Sequence, residues 1–387
     1  MTPELVQKRY SRLQAEIQKR NIGALLLTDP IHIRYATGTV NMALWTAFNY
    51  ARYCIIPAEG EPVIWEYPEA LFVAKKYWKD VRPCEYWQFR FAGAKSGEQS
   101  EKWASQIADA LKQKGLDDRP LGIDRLDSYG FQALQKQALG LCDADEAMQA
   151  ARMIKFPEEI SLMQENVTIT EKALSEMVAK IEPGISEHEL LGTFWQGILS
   201  RGGEWCYTRL IASGERTNPW FQEASDKKIA AGDIVAIDTD VIGLDGYACD
   251  ISRTFVCGQL PNTKQRENFK YAYEYIDKIK AELKPGVTWE QLVHAFPAVK
   301  DCYLKNRYPI FAHGLGMDDE PPFLPFADQT TSAKSEDVLE ENMVICVEFY
   351  AGLEGGEDGV KIEDQLLITA NGSEQMNSDR FHEHFLD

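Results

Sequence analysis

Strand-like runs of apolar residues follow one another through the second half of the chain. Residues 232–255 read GDIVAIDTDVIGLDGYACDISRTF, with two apolar runs around an Asp245-Gly246 turn. That arrangement is typical of a β-hairpin. Further strand-like runs follow at residues 308–312, 343–349 and 359–369. The pattern predicts a catalytic or binding half that is built largely on strands.

The first part of the chain alternates between helical and strand-like patterns. A polar helix over Pro3–Lys19 precedes a buried strand in the run NIGALLLTD, and residues 51–67 predict a hairpin. Helical patterns follow near residues 100–114 and 128–139, with a strand at 120–124 between them. We therefore expect an α/β domain over residues 1–155, and we find no catalytic pattern in it.

The run RMIKFP at residues 152–157 separates this domain from a second one. A chain of 387 residues is long enough for two domains. Beyond the run, apolar side chains recur at helical spacing, at Ile160, Met163, Val167, Leu174 and Met177. They predict a long amphipathic helix at the start of a domain over residues 156–387.

An internal repeat occurs within the second domain. PGIS at residues 183–186 and PGVT at residues 285–288 lie 102 residues apart (285 − 183). Ser186 and Thr288 each have an acid or amide three residues later, which fits a capping box at the start of a helix. Two similar halves facing each other would give this domain a pseudo-two-fold symmetry.

The composition, 44% apolar and 26% charged, is that of an ordinary globular protein. The net charge of −19 opposes nucleic acid or an anionic membrane as a partner, because phosphates repel such a surface. The eight cysteines form no CxxC pair, so we expect buried free thiols and a reducing compartment. Without an apolar N-terminal stretch or a run of 18 apolar residues, the expected location is the cytoplasm.

Three carboxylates are set into the 232–255 hairpin, at Asp238, Asp240 and Asp250. Their spacings of 2 (240 − 238) and 10 (250 − 240) are even, and residues an even number apart share one face of a regular strand. Carboxylates turned inward among Ile, Val and Phe would repel one another, and a bound cation relieves that repulsion. The alternative is a solvated acidic face.

Three further groups downstream strengthen the case for a metal site. His313 follows a strand-like run, while Glu348 and Glu363 lie within apolar strand patterns, where an acid is unusual without a partner. Each alone is weak evidence, since a single strand histidine is more often structural. Carboxylates with one imidazole suit Mn, Fe, Co or Zn.

The order Asp238, Asp250, His313, Glu348, Glu363 resembles the two-metal site of the creatinase, prolidase and methionine aminopeptidase superfamily. The surroundings GDIVAIDTD, GYACDISRTF, HGLG and GVKIED match as well. The resemblance implies an α/β (α+β) protein, with an N-terminal creatinase-like α/β domain before a pseudo-symmetric pita-bread catalytic domain. It also implies two divalent transition-metal ions and a homodimer whose N-terminal domain can reach the partner's active site.

Departures from the peptidases of this superfamily point to another reaction. The run RLIASGERTNPWFQEAS lacks the usual substrate-binding histidine and has Trp220 and Phe221 instead. After the ligand histidine, Asp318 or Asp319 stands near the usual second histidine, and an anion there would oppose a developing oxyanion. Asp240 adds a carboxylate where peptidases usually have a small residue.

These departures resemble the DddP-type lyases of dimethylsulfoniopropionate (DMSP), a small zwitterion. That resemblance implies Asp319 as the base that abstracts a proton, and two metal ions, iron first, with Mn, Zn or Co as alternatives. Tyr308, Trp45 and Trp220 would offer aromatic faces to the sulfonium cation. The implied metal ligands are Asp238, Asp240, Asp250, His313, Glu348 and Glu363.

Three other functions stay open. The ligands also fit an Xaa-Pro dipeptidase or aminopeptidase, which the missing histidines oppose. Ectoine-type amidohydrolases have segments similar to YATG…NM and RTNPWFQE, but they usually lack the metal ligands. A non-catalytic scaffold would also lose them. For Trp45, packing in a core or a dimer interface is the alternative to a wall of a substrate pocket.

Overall fold

The computed structural model describes residues 1–329, 337–382 and 385. The chain divides into two compact units, residues 1–152 and 153–387. The boundary expected from the sequence lies three residues further along. All eight cysteines are free, and six of them are buried. Across the described ranges, no helix is both long and apolar enough to cross a membrane.

The N-terminal unit is an α/β unit around one mixed sheet of order β4-β3-β2-β1-β5-β6. Its strands are β1 (Ala24–Leu27), β2 (Tyr53–Pro57), β3 (Val63–Glu66), β4 (Val81–Pro83), β5 (Leu121–Ile123) and β6 (Leu141–Asp143). Its helices are α1 (Pro3–Lys19), α2 (Pro30–Thr37), α3 (Ala43–Phe48), α4 (Leu71–Ala74), α5 (Phe89–Ala92), α6 (Ser96–Gln113), α7 (Ser128–Gln135) and α8 (Asp145–Met153). The hairpin expected over residues 51–67 is the antiparallel pair β2–β3.

The carboxyl ends of two parallel strands, β1 and β5, are tied together by one buried acid. Asp124 follows β5 and accepts hydrogen bonds from the backbone N–H groups of Thr28 and Asp29, which follow β1, both at 2.9 Å. Asp29 also caps α2, where it accepts from the N–H of Ile31 at 2.7 Å. Asp124 therefore holds together the two chain segments that follow β1 and β5 at the centre of the sheet.

The C-terminal unit opens with the long helix that the apolar spacing predicts. Its helices are α9 (Pro157–Val178), α10 (Glu187–Leu199), α11 (Thr263–Glu282), α12 (Trp289–Ala295) and α13 (Asp301–Leu304). Its strands are β7 (Trp205–Cys206), β8 (Ile211–Ser213), β9 (Ile234–Asp238), β10 (Val241–Ile242), β11 (Ala248–Cys249), β12 (Ser252–Val256), β13 (Ile310–Leu315), β14 (Asp319–Pro325), β15 (Val344–Gly352), β16 (Gly359–Thr369) and β17 (Gly372–Gln375). They form three sheets, ordered β11-β10-β7, β12-β9-β8 and β14-β13-β15-β16-β17.

The internal repeat is present as two equivalent corners of the C-terminal unit. Ser186 caps α10 and forms an isolated antiparallel bridge to Lys228, while Thr288 caps α12 and bridges to Val338 in the same way. After each bridge a strand begins, β9 in the first half and β15 in the second, each paired with an antiparallel neighbour. The expected pseudo-two-fold arrangement is confirmed.

The largest sheet separates an apolar core from a polar face. Val347, Phe349 and Ile362 are fully buried in a core with α11 and α12. Successive strand side chains point to opposite faces. Glu348 and Glu363, adjacent to these residues and paired across β15 and β16, therefore point to the other face. Glu348 and Glu363, two of the acids expected as ligands, are thus buried on the face of the sheet opposite the apolar core.

The 232–255 hairpin is present but interrupted, so its three carboxylates do not come together along continuous strands. β9 pairs with β12 and β10 with β11, and the backbone of Asp240 between β9 and β10 is left-handed, with φ of 40°. Asp250 lies between β11 and β12, outside both strands. An aspartate tolerates this conformation better than most residues, and such an interruption redirects side chains.

Candidate metal centre

Six side chains from four segments of the C-terminal unit converge on one buried site. Carboxylate oxygens of Asp238, Asp240 and Asp250 lie within 4.8 Å of one another. Nε2 of His313 lies 3.9 Å from Asp250, and also contacts carboxylate oxygens of Glu348 at 3.9 Å and Glu363 at 3.2 Å. All six residues expected as ligands are therefore brought together.

The sheet positions the second half of this set. His313 lies on β13, Glu348 on β15 and Glu363 on β16, which are adjacent strands in the order β13-β15-β16. Glu348 and Glu363 are direct cross-strand partners. In the first half, Asp238 ends β9 opposite Ser252, whose hydroxyl donates to it at 2.6 Å.

Burial and mutual repulsion make these carboxylates poor anions on their own. Burial, with the Asp238 charge, raises the pKa of Asp240 to about 7. Burial also raises the pKa of Asp238, that of Asp250 well above its ordinary value, and that of Glu348 to about 8. Oxygen donors with one imidazole suit a divalent cation of the Mn, Fe, Co or Zn type. The residues present therefore fit a metal site.

His313 and Glu363, two of the expected ligands, form a separate ion pair inside the cluster. Burial opposes the charge on both, but Glu363 raises the pKa of His313 to about 10. Burial likewise acts to raise the pKa of Glu363, but Lys361 and His313 outweigh it and lower that pKa to about 2. These pKa values are those of the protein with no metal ion bound. The charge of a metal ion at this site would reverse the preference of His313 for its protonated form.

Lys361 is a member of the site that the sequence interpretation missed. Its fully buried ammonium lies 3.3 Å from Asp238, 2.7 Å from Glu348 and 3.0 Å from Glu363. A signal was available in GVKIED, because a residue two positions before Glu363 shares its strand face. Five carboxylates and one lysine sum to −4 (−5 + 1), which two divalent cations would balance.

Asp319, the expected base, begins β14 beside His313, an expected ligand. Its Oδ1 lies 3.5 Å from Nδ1 of His313, and its side chain is 49% exposed. Burial, with the charges of Asp318 and Glu363, raises the pKa of Asp319, while His313 opposes the rise. A carboxylate with a raised pKa and access to solvent is suited to accept a proton and release it.

The expected aromatic residues have different surroundings. The ring of Tyr308 lies 4.5 Å from Nζ of Lys361, so Tyr308 borders the site. Trp220 is only 5% exposed and belongs to the apolar core, where its ring stacks on Tyr350. Its neighbour Phe221 is the exposed ring, and it stacks on Tyr308 with centroids 5.0 Å apart. The sequence alone gave no signal for which of the two is exposed.

Trp45 lies in the N-terminal unit, on α3. Its side chain is 37% exposed and makes edge contacts with Tyr67 and Phe91, with centroids 6.0 and 6.2 Å apart. Phe48 on the same helix is 73% exposed. Trp45 therefore packs on aromatic rings of its own unit and keeps part of its ring exposed.

Two family models match the chain and together span most of it. The model described as metallopeptidase family M24 matches residues 161–370, and the creatinase/prolidase N-terminal domain matches residues 9–154. The chain belongs to metallopeptidase family M24. This M24 protein therefore has the expected two-domain pita-bread fold, with a creatinase-like N-terminal domain.

Individual M24 relatives carry two different activities in their names. The chain is 33% identical over 379 residues to dimethylsulfoniopropionate lyase DddP of Roseovarius nubinhibens, a match that covers 96% of this chain and 85% of that protein. It is 27% identical over 380 residues to the Xaa-Pro dipeptidase of Pyrococcus furiosus, with 96% and 98% coverage. The solved prolidase of Pyrococcus furiosus superposes with a TM-score of 0.74 at 25% identity, over 94% of this chain and 99% of that one. M24 enzymes use pairs of divalent metal ions, and this chain has the side chains for such a centre.

Proposed function

We propose that this M24 enzyme is a metal-dependent DMSP lyase, which cleaves DMSP to dimethyl sulfide and acrylate. The observation that carries the proposal is Asp319, a half-exposed carboxylate 3.5 Å from the ligand histidine. Peptidases of the creatinase and prolidase superfamily typically have a second histidine near the position of Asp319, where it helps to stabilise an oxyanion. A carboxylate cannot do that, but it can act as a general base.

The metal centre in this proposal holds two divalent transition-metal ions, with iron first and Mn, Zn or Co as alternatives. A bound cation would act as a Lewis acid on the substrate carboxylate and make the adjacent C–H more acidic. The proposed ligands are Asp238, Asp240, Asp250, His313, Glu348 and Glu363. Lys361 holds three of their carboxylates and completes the charge balance.

The reaction then depends on Asp319. Its carboxylate takes the proton from the carbon beside the substrate carboxylate, and the electron pair of that C–H bond becomes the double bond of acrylate. The carbon–sulfur bond breaks, its electron pair stays on sulfur, and neutral dimethyl sulfide leaves. Because Asp319 is half-exposed, it can return the proton to water. The elimination needs no attacking water and no oxyanion donor.

The sulfonium end of DMSP needs aromatic surfaces rather than hydrogen-bond donors. Tyr308, beside Lys361, is the first of these. We propose that Trp45 contributes a further aromatic surface from a creatinase-like domain of a homodimer. The proposed location of this homodimer is the cytoplasm. Because Trp220 is buried in the core, we transfer its expected contact to Phe221.

The deciding experiment offers three substrates to the iron-loaded enzyme in parallel. We expect dimethyl sulfide in the headspace over DMSP, measured by gas chromatography, with equimolar acrylate in solution. Gly-Pro should give no free proline, and ectoine should give no ring-opened product. Proline release without dimethyl sulfide would identify an Xaa-Pro dipeptidase and end the lyase proposal. Ring-opened ectoine as the only product would favour the amidohydrolase.

The Xaa-Pro dipeptidase remains the second candidate because of one specific observation. Residues that match all five ligand positions of the superfamily meet at one buried site, and the dipeptidase of Pyrococcus furiosus aligns over 96% of the chain. Asp319 counts against it, because it adds negative charge where a hydrolase stabilises an oxyanion. Asp240 also counts against it, since peptidases of the superfamily usually have a small residue at that position.

A further inference from the structure

We infer that Phe221 and Phe323 select a methylated cationic group at the candidate metal centre. This inference rests on the proposed function, because it names the contacts that define its substrate class. Both rings are exposed, at 56% and 51%, and each is stacked on a residue of the site. Neither was assigned a role from the sequence.

Phe221 is held in a conformation that its side chain disfavours. Its φ is 71°, in the left-handed region, where a bulky residue is a true outlier and glycine would be comfortable. Its ring stacks on Tyr308 at an interplanar angle of 24°. Strained residues of this kind persist only where the surrounding structure holds them in place, and they are common at active sites and ligand-binding sites. The backbone therefore holds this exposed ring against Tyr308 at the border of the site.

Phe323 occupies a corresponding position beside the ligand histidine. It is the Cα partner of His313 between β13 and β14, and the two rings are 6.2 Å apart with an interplanar angle of 16°. Asp319 begins the same strand β14 and contacts the same histidine. An exposed ring thus lies on the strand that carries the proposed base.

The chemistry of these rings favours one class of ligand group. A sulfonium or quaternary ammonium carries methyl groups instead of N–H donors, so it cannot satisfy hydrogen-bond acceptors. It is attracted instead by the negative faces of aromatic rings and by contact with apolar carbon. The α-amino group of a peptide is a primary ammonium with three donors, and it loses hydration at such a surface. The two rings therefore discriminate against a peptide substrate.

A matched pair of carboxylate ligands tests this inference through binding and does not require turnover. 3-(Trimethylammonio)propanoate and 4,4-dimethylpentanoate share a carboxylate and a chain length, and differ in the charge of the terminal group. Isothermal titration of each into the metal-loaded enzyme should show about tenfold tighter binding of the cationic ligand. Phe221→Leu and Phe323→Leu should each reduce that preference several-fold, whereas Phe221→Tyr should keep it.

Two further variants control for structure. Phe221→Gly removes the backbone strain together with the ring, so it should fold at least as well and still lose the preference. Phe72→Leu makes the same substitution at a 64% exposed phenylalanine of α4 and should leave the preference unchanged.

Equal affinity for both ligands in the unmodified enzyme, or an unchanged preference in both leucine variants, would overturn the inference. An enzyme that binds the cationic ligand more tightly but releases no dimethyl sulfide from DMSP would contradict the proposed lyase. The same result would support the role of Phe221 and Phe323 in binding a methylated cation. The two failures are thus distinguishable.

Discussion

Nζ of Lys361 lies 2.7 Å from Oε2 of Glu348, and both side chains are buried. Asp238 and Glu363 also contact this ammonium, so one cation holds three proposed metal ligands together. A buried ion pair of this kind is stable only while every partner is present, because an isolated charge is costly to desolvate. Lys361 therefore keeps the acid cluster folded before any metal binds.

Replacing this cation should destabilise the metal-free protein. Lys361→Met leaves the carboxylates without their buried counterion, which costs about 3–5 kcal/mol. Scanning calorimetry of chelator-treated protein should show a lower Tm than for the unmodified chain, and a larger rise in Tm on adding Mn²⁺, because the cation then relieves more repulsion. Lys305→Met, which breaks an exposed pair with Glu354, should change stability by no more than about 1 kcal/mol. Equal effects of the two variants would contradict this role of Lys361.

Removing the proposed base should separate chemistry from metal binding. Asp319→Asn keeps the shape of the side chain but cannot take a proton, so we expect turnover of DMSP to fall by about 10²–10⁴-fold. Metal content, measured by mass spectrometry of the digested protein, should stay the same. Asp318→Asn is the matched control at the preceding position and should change turnover only a few-fold. Full activity in Asp319→Asn would place the base elsewhere.

The extra carboxylate of the DxD motif should be needed for full metal loading. Asp240 accepts a hydrogen bond from Thr208, which orients it within the site. We expect about two ions per chain in the unmodified protein and a clear deficit in Asp240→Ala, because one oxygen donor is lost. Asp245→Asn changes an acid at the turn of the same hairpin and should leave the metal content unaltered. Unchanged occupancy in Asp240→Ala would make the DxD motif incidental.

The convergence of these six side chains could be expected from residue type, chain order and the resemblance to the two-metal superfamily. Hard carboxylates and one histidine on successive strand patterns identify the site wherever the strands meet. The geometry was less accessible, because the even spacing of Asp238, Asp240 and Asp250 assumes continuous strands. A left-handed residue at 240 breaks that assumption, and the sign of φ is not encoded in the apolar pattern.

Side-chain exposure at adjacent positions was also beyond the sequence. Trp220 and Phe221 are both aromatic, and only tertiary packing decides that Trp220 enters the core while Phe221 remains exposed. Lys361 was missed for a different reason. A lysine in a strand is usually read as a solvated edge residue, and the burial of Lys361 depends on Glu363 of its own strand together with Glu348 and Asp238 of two other strands.

Asp124 gives the N-terminal unit a predictable response to acid. Burial alone would raise the pKa of this carboxyl, but hydrogen bonds from His32 and from the N–H groups of Asp29 and Thr28 outweigh it and lower the pKa. A lowered folded-state pKa means that the ionised form stabilises the fold. That contribution is complete above the unfolded-state pKa of about 3.9 and is lost as the pH falls through the lower folded-state value.

Asp124→Asn should therefore be less stable than the unmodified chain at pH 7, by roughly 2–3 kcal/mol, because charged hydrogen bonds become neutral ones. The difference should shrink as the pH falls below about 4, since the unmodified chain loses the ionised form there. Amide hydrogen exchange at Thr28 and Asp29, whose N–H groups bind this carboxylate, reports the effect locally. Asp117→Asn, at an exposed position of the same unit, should leave that exchange unchanged at both pH values. A stability deficit in Asp124→Asn that is the same at pH 7 and pH 3 would mean that the carboxylate charge plays no part in joining the two strand ends.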